Sequence, residues 1–345
     1  MRPPPLRTLA ATALGVLAAL ALAELVVRQI YTYALVYEPG YGYVNAPGGL
    51  VRWGREGHGT SRWAAHGVRE KDAPPPGGRA LLVFGDSQTE ALMVDDGEAF
   101  TARLERAFER EGRPTRVVNA GRSTTSLADA IGYEERFRRL FAPCWTVLQI
   151  SAEDLGPDAW GAGKPHFAQA EGGPLTVEIV PQRAHAGLSG KLWWLRQRSM
   201  LVGYAAARAA ELGRGLSDEP PLFRAGHEKP KAPVKRSYPV EDELDLAAKA
   251  YGGRVTFLYL SPFDPREPTR LEPETEARVF SHCAARGLRC VSARASYPRF
   301  AAEGKAPYGF SNSAYNEGHL NRDGHAAIAE ALTEHFRGFD PCGVL

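Results

Sequence analysis

Short apolar runs recur along the chain from Arg79 onward, and amphipathic stretches separate them. Arg79–Phe84, Thr115–Asn119, Thr146–Ile150, Arg254–Leu260 and Leu288–Val291 read as strands. Between and after them, Glu98–Arg110, Leu127–Leu140, Glu274–Arg286 and Arg322–Phe336 read as helices. Phe100, Leu104 and Phe108 share one helical face, as do Ile328, Leu332 and Phe336. Strands alternating with helices predict an α/β fold: a parallel sheet with helices on both sides. Ligands in such sheets bind beyond the carboxyl ends of the strands. Residues 155–253, between the third and fourth strands, are too many for an ordinary crossover. They predict an insertion containing a helix over Lys191–Leu212, with Leu192, Trp193, Leu195 and Leu201 on its apolar side. That face can pack on the domain, wall the site, or touch a membrane surface beside Lys191, Trp194, Arg196 and Arg198.

The other end of the chain has a different pattern. Arg2 and Arg7 precede an unbroken apolar run from Thr8 to Ala23, followed by Glu24, Leu25-Val26-Val27 and Arg28. A positive start before such a run directs the remainder out of the cytoplasm. Two readings stand. Residues 1–28 form an anchor that spans the inner membrane, or Ala21-Leu22-Ala23 is a cleavage site that releases a soluble exported protein. Either way the domain faces the periplasm or the cell exterior. Residues 29–78, rich in glycine, proline and aromatics without clear periodicity, read as a linker packed on the surface of the domain at 79–345.

Composition narrows the function classes. The chain has 345 residues, 44% hydrophobic and 24% charged, which suits a globular domain with an insertion. A net charge of +2 gives no reason to expect a nucleic-acid partner. The one basic tract, His227–Arg236, is split by prolines and reads as a solvated loop. No phosphate loop or dinucleotide fingerprint is present and no cysteine pair has metal-ligand spacing, so no cofactor and no metal are expected.

The chemistry lies where the first core strand ends. Ala80-Leu81-Leu82-Val83-Phe84 runs into Gly85-Asp86-Ser87 and then a helix-prone segment. A strand, a tight turn and a helix start put the Ser87 hydroxyl at the carboxyl end of a strand, where a nucleophilic serine is commonly held. Serine needs a base to take its proton. Among nine histidines, His319 in Asn316-Glu317-Gly318-His319 stands just before the last helix and is the best candidate.

These residues resemble the SGNH superfamily, the GDSL esterases and lipases. The first block of that family matches Gly85-Asp86-Ser87-Gln88-Thr89-Glu90-Ala91 except at its final glycine, where Ala91 stands. Gly121, in Val117-Val118-Asn119-Ala120-Gly121, fits the second block. Ser151-Ala152-Glu153-Asp154 takes the place of the third and Asn316–His319 that of the last. Ala65-His66-Gly67-Val68-Arg69-Glu70 resembles the Gly-x-Arg stretch of anchored members. The resemblance implies a three-layer α/β/α, flavodoxin-like five-stranded parallel sheet. It implies an ester substrate (small molecule, lipid or glycan), Ser87 as nucleophile and His319 as base. The oxyanion donors it implies are the N–H groups of Ser87 and Gly121 and the side chain at position 153. Two positions depart from it. Glu153 replaces an asparagine, and an ionised carboxylate repels an oxyanion. Asn316 replaces the acid that orients the histidine, leaving Glu317 as the nearest carboxylate. Esterase activity, transfer of the acyl group to an envelope glycan and a non-catalytic binding role all remain open on these residues.

Cys144, Cys283, Cys290 and Cys342 are even in number, as an oxidising compartment permits. On the implied fold, Cys144 and Cys342 both come to the lower edge of the sheet, while Cys283 and Cys290 flank a helix-to-strand connection. Those are the pairs to expect; four separate thiols are the alternative.

Overall fold

A computed structural model of the chain describes residues 6–30, 35–38, 42–45, 47–69, 79–123, 125–155, 165–170, 172–179, 195, 199–205, 238–272 and 274–343. The chain forms two compact units: residues 1–37 with 183–232, and residues 38–182 with 233–345. The expected insertion at 155–253 is therefore divided, with its two flanks belonging to the sheet unit.

The sheet unit includes an antiparallel pair, β1 (Leu50–Trp53) and β2 (Gly59–Arg62), within the stretch expected to be a linker packed on the domain surface. Five parallel strands follow: β3 (Ala80–Phe84), β4 (Arg116–Asn119), β5 (Trp145–Ile150), β8 (Val255–Tyr259) and β9 (Arg289–Ser292), in the order β4-β3-β5-β8-β9. All β3 side chains are buried, which is why its sequence is a continuous apolar run rather than an alternating one. On one face, Leu81 and Val83 pack in a core with Phe100, Leu104 and Phe108 of α3 (Phe100–Arg110) and Ile328, Leu332 and Phe336 of α9 (Arg322–Arg337). On the other, Phe84 meets Phe137 edge-on, with ring centroids 5.6 Å apart. Phe137 belongs to α5 (Glu134–Phe141), which with α4 (Leu127–Gly132) replaces the single helix expected over this stretch. Helices α6 (Val240–Ala250) and α7 (Glu276–Arg286) complete this side: the Tyr251 hydroxyl after α6 donates to Ala130 O at 2.8 Å, and Phe280 stands against Tyr259. The layers are those expected.

The insertion differs from its expectation. Among the described residues of its flanks lie an antiparallel pair, β6 (Pro165–Gln169) with β7 (Leu175–Ile179), and helix α6. The expected helix over Lys191–Leu212 falls mostly outside the described residues, which hold helix at Leu195 and at 200–205. In the other unit, α1 (Leu6–Ile30) is a continuous helix whose stretch Ala10–Val27 has a mean hydropathy of 2.2 and is long enough to cross a membrane.

Both expected disulfides form. Cys144–Cys342 closes 198 residues, and Cys283–Cys290 closes seven. If chain entropy governs, the first contributes about 5 kcal/mol and the second about 2. Replacing Cys144 and Cys342 with alanine should therefore lower the free energy of unfolding in denaturant titrations about twice as much as replacing Cys283 and Cys290.

Candidate active site

Ser87 opens α2 (Ser87–Glu90), directly after β3 and the turn Gly85-Asp86. Asp86 caps the helix by accepting from Gln88 N at 2.8 Å. Gly85 leaves no room for a side chain, since a Cβ there would lie 2.4 Å from Gln149 Oε1 and Thr89 Oγ1. Ala91 ends the helix in the left-handed region (φ 57°), which is why glycine suits this position in the GDSL block. The Arg69 side chain, fully buried, holds this turn: its guanidinium donates to the carbonyls of Glu90, Ala91 and Val94 and to Asp96.

His319 reaches the same place from the opposite end of the sequence. Its Nε2 lies 3.0 Å from Ser87 Oγ, so the two residues expected to meet across the rim of the sheet do so. Gln88 fixes the histidine's backbone on both sides, accepting from Leu320 N at 2.8 Å and donating to Gly318 O at 3.3 Å. Behind it, Asn321 caps α9 by accepting from Asp323 N and Gly324 N, both at 3.0 Å. His325 is structural: it is fully buried, and Phe100 N lies 3.3 Å from its Nδ1. Burial pushes its pKa down to about 3, so the ring is a neutral acceptor.

The acid beside His319 comes from a residue that the motifs did not indicate. Glu56 Oε2 lies 2.6 Å from His319 Nδ1, and Glu56 Oε1 accepts from His319 N at 2.8 Å. Glu56 sits in the turn between β1 and β2, and that hairpin is fastened to the loop that follows Ser87. Thr60 N donates to Asp95 Oδ1 at 2.8 Å and Arg62 N to Asp96 Oδ2 at 2.9 Å. Gly57 N donates to Asn312 Oδ1 at 2.8 Å. Gly318 completes the fit: its φ is 75°, and a Cβ there would stand 2.2 Å from Glu56 Oε1.

For Glu317 and Gly121 this geometry differs from the expected roles. Glu317 is exposed and makes no hydrogen bond to His319, because the ring nitrogen it was to serve is taken by Glu56. Asn316, at the acid position that the resemblance implies, turns away and donates to Phe263 O at 2.8 Å. Of the two expected backbone donors to an oxyanion, Ser87 N–H has no acceptor among the described residues. Gly121 N–H donates to Asn119 Oδ1 at 2.9 Å, and the residue is glycine for a packing reason: a Cβ would come within 2.3 Å of Glu90 N. Glu153 is exposed, and its charge disfavours ionisation of Asp86 and Asp154. Asp154 is buried and accepts from both Ser151 N and Ser151 Oγ at 2.7 Å, tying back the turn that it ends. Burial, with Asp86 nearby, pushes its pKa up to about 8.

No family model matches the chain, and no curated protein does. Solved structures similar to it are hydrolases. LAE5, an alpha/beta hydrolase from the metagenome of Lake Arreo, is 17% identical over 79% of this chain and 98% of its own, with a TM-score of 0.39. A catalytic variant of Axe2, an acetylxylan esterase from Geobacillus stearothermophilus, is 15% identical over 80% and 100%, with a TM-score of 0.39. A lipolytic protein of the G-D-S-L family from Veillonella parvula is 10% identical over 76% and 100%, with a TM-score of 0.38. Likeness at this level leaves the chemistry to the site's own atoms.

Two outcomes follow. Gly318→Ala should displace Glu56 and depress any activity of Ser87 with little change in Ser87 exposure, as read by turnover beside active-site labelling. Asp154 ionises near 3.8 when unfolded and near 8 when folded, so between those values the folded chain holds a proton that the unfolded chain lacks. Stability therefore falls as pH rises through that window, by up to about 1.4 kcal/mol per pH unit. Asp154→Asn should flatten that slope in denaturation measured from pH 4 to pH 8.

Proposed function

We propose that this chain is an exported serine hydrolase of carboxylic esters, held at the outer face of the inner membrane by its N-terminal helix. The observation that carries the reading is the continuous line Ser87 Oγ, His319 Nε2, His319 Nδ1, Glu56 Oε2, with separations of 3.0 Å and 2.6 Å. An Nδ1–H donated to Glu56 leaves Nε2 as the acceptor facing the hydroxyl. As Ser87 Oγ attacks the ester carbonyl carbon, Nε2 takes the hydroxyl proton and Glu56 stabilises the imidazolium that forms. The carbonyl oxygen gains the negative charge, and Ser87 N–H is the donor available to it. Collapse of the tetrahedral species breaks the bond to the alcohol oxygen, which leaves with the proton from Nε2. Water then attacks the acyl-serine by the same route, giving the acid and restoring the hydroxyl.

The carboxylates around the site bear on the substrate. Glu153 at the rim disfavours an anionic acyl chain, so esters of neutral acyl groups fit best. The N-terminal helix supports the location, since a run such as Ala10–Val27 serves an anchor as well as a signal sequence.

A fluorophosphonate should label Ser87, and Ser87→Ala should lose both the label and the hydrolysis of a short-chain acyl ester. Glu56→Gln should cut kcat by about 10³–10⁴-fold, the scale of losing the acid in a triad. Glu317→Gln should leave kcat unchanged. Equal effects of the two substitutions, or labelling at another serine, would defeat the reading.

A further inference from the structure

Helix α1 carries its apolar stretch almost bare. Leu14, Leu17, Leu20, Leu22 and Leu25 are each more than half exposed. Such a strip suits lipid rather than water. Within Ala10–Val27 the one charged residue is Glu24, and a carboxylate in hydrocarbon is costly unless it reaches the interface or finds donors. Eighteen residues of helix span about 27 Å, close to the thickness of a hydrocarbon core. Glu24 stands within one turn of the end of that stretch, on the side away from Arg2 and Arg7.

Glu24 has donors, and they come from the middle of the insertion, in the same compact unit. Its Oε2 accepts from Ser199 Oγ at 2.8 Å and Leu201 N at 2.9 Å, and its Oε1 accepts from Met200 N at 2.9 Å. Ser199 Oγ in turn accepts from Val202 N at 3.2 Å. These N–H groups open the helical turns at 200–205 and have no acceptor within their own helix. Met200-Leu201-Val202-Gly203-Tyr204-Ala205 carries no charge. A carboxylate from 175 residues earlier thus caps an uncharged, mostly apolar segment, at the depth where a bilayer ends.

We propose that residues 199–205 are an interfacial element held on the uncleaved N-terminal helix by Glu24, with their apolar side chains in the headgroup boundary of a phospholipid bilayer. The inference rests on the anchored reading above and is independent of the ester chemistry. The cap requires the intact helix: cleavage after Ala23 would leave Glu24 as a free terminus with no helix to position it.

The test uses the full chain extracted from membranes and placed in vesicles of phosphatidylethanolamine and phosphatidylglycerol, beside Glu24→Leu and Glu24→Gln. Intact mass should show an uncleaved N-terminus. Amide exchange over residues 199–205 should be at least about fivefold slower in the parent than in Glu24→Leu, the scale of one lost cap, with Glu24→Gln between them. A photoactivatable phospholipid should label 199–205 in the parent and label it less in Glu24→Leu. Turnover of a soluble ester should match in all three proteins, which keeps this result separate from the reading of Ser87. A chain beginning at Glu24 would remove the anchored reading itself. An intact chain with equal exchange in the parent and Glu24→Leu would overturn the cap, and lipid labelling confined to α1 would overturn the interfacial placement.

Discussion

The hydrogen bond between Glu56 and His319 is the constraint on which the rest of the site depends. An imidazole in a surface loop has many orientations, and one of them aims Nε2 at Ser87. Glu56 selects it by engaging both the ring and the backbone of the same residue. That bidentate contact in turn dictates a glycine at 318, where any side chain would occupy the space of the carboxylate. It also dictates a hairpin stiff enough to hold a carboxylate in place. The fastenings of β1–β2 to Asp95, Asp96 and Asn312, together with Arg69 gripping the turn after Ser87, meet that need. The β1–β2 hairpin, from the segment between the N-terminal helix and the sheet, therefore supplies the carboxylate beside His319.

Much of this was legible in the sequence because it rests on local rules. Continuous apolar runs marked buried parallel strands, and the spacing of Phe100, Leu104 and Phe108 marked the helix face that covers Leu81 and Val83. The abrupt change at Gly85-Asp86-Ser87 marked the turn that carries Ser87. The disulfide pairs followed once the strands were placed, since topology decides which cysteines share an edge.

The acid was not legible because nothing local specifies it. Glu56 belongs to Gly54-Arg55-Glu56-Gly57, a polar turn that reads as any other. Its partner lies 263 positions away, and the contact exists because the hairpin docks on a distant loop. A clue was present: Leu50–Trp53 and Gly59–Arg62 flank a glycine-rich turn, a hairpin pattern, and Asn316 left a histidine in want of an acid. Gly121 misled for a related reason. Its position after a strand fitted a donor of the oxyanion hole, yet close packing on α2 and the neighbouring Asn119 account for it. The insertion divided where sequence patterns could not show it, because its two flanks pack with the sheet unit.

The account turns on which carboxylate shares a proton with His319. The most direct measurement is the proton spectrum of the full chain at low temperature, in the low-field region where an imidazole N–H bonded to a carboxylate appears. A resonance assigned to His319, distinct from that of the His282–Asp245 pair, should be present in the parent, persist in Glu317→Gln and vanish in Glu56→Gln. A resonance that survives the loss of Glu56 and disappears with Glu317 would contradict it.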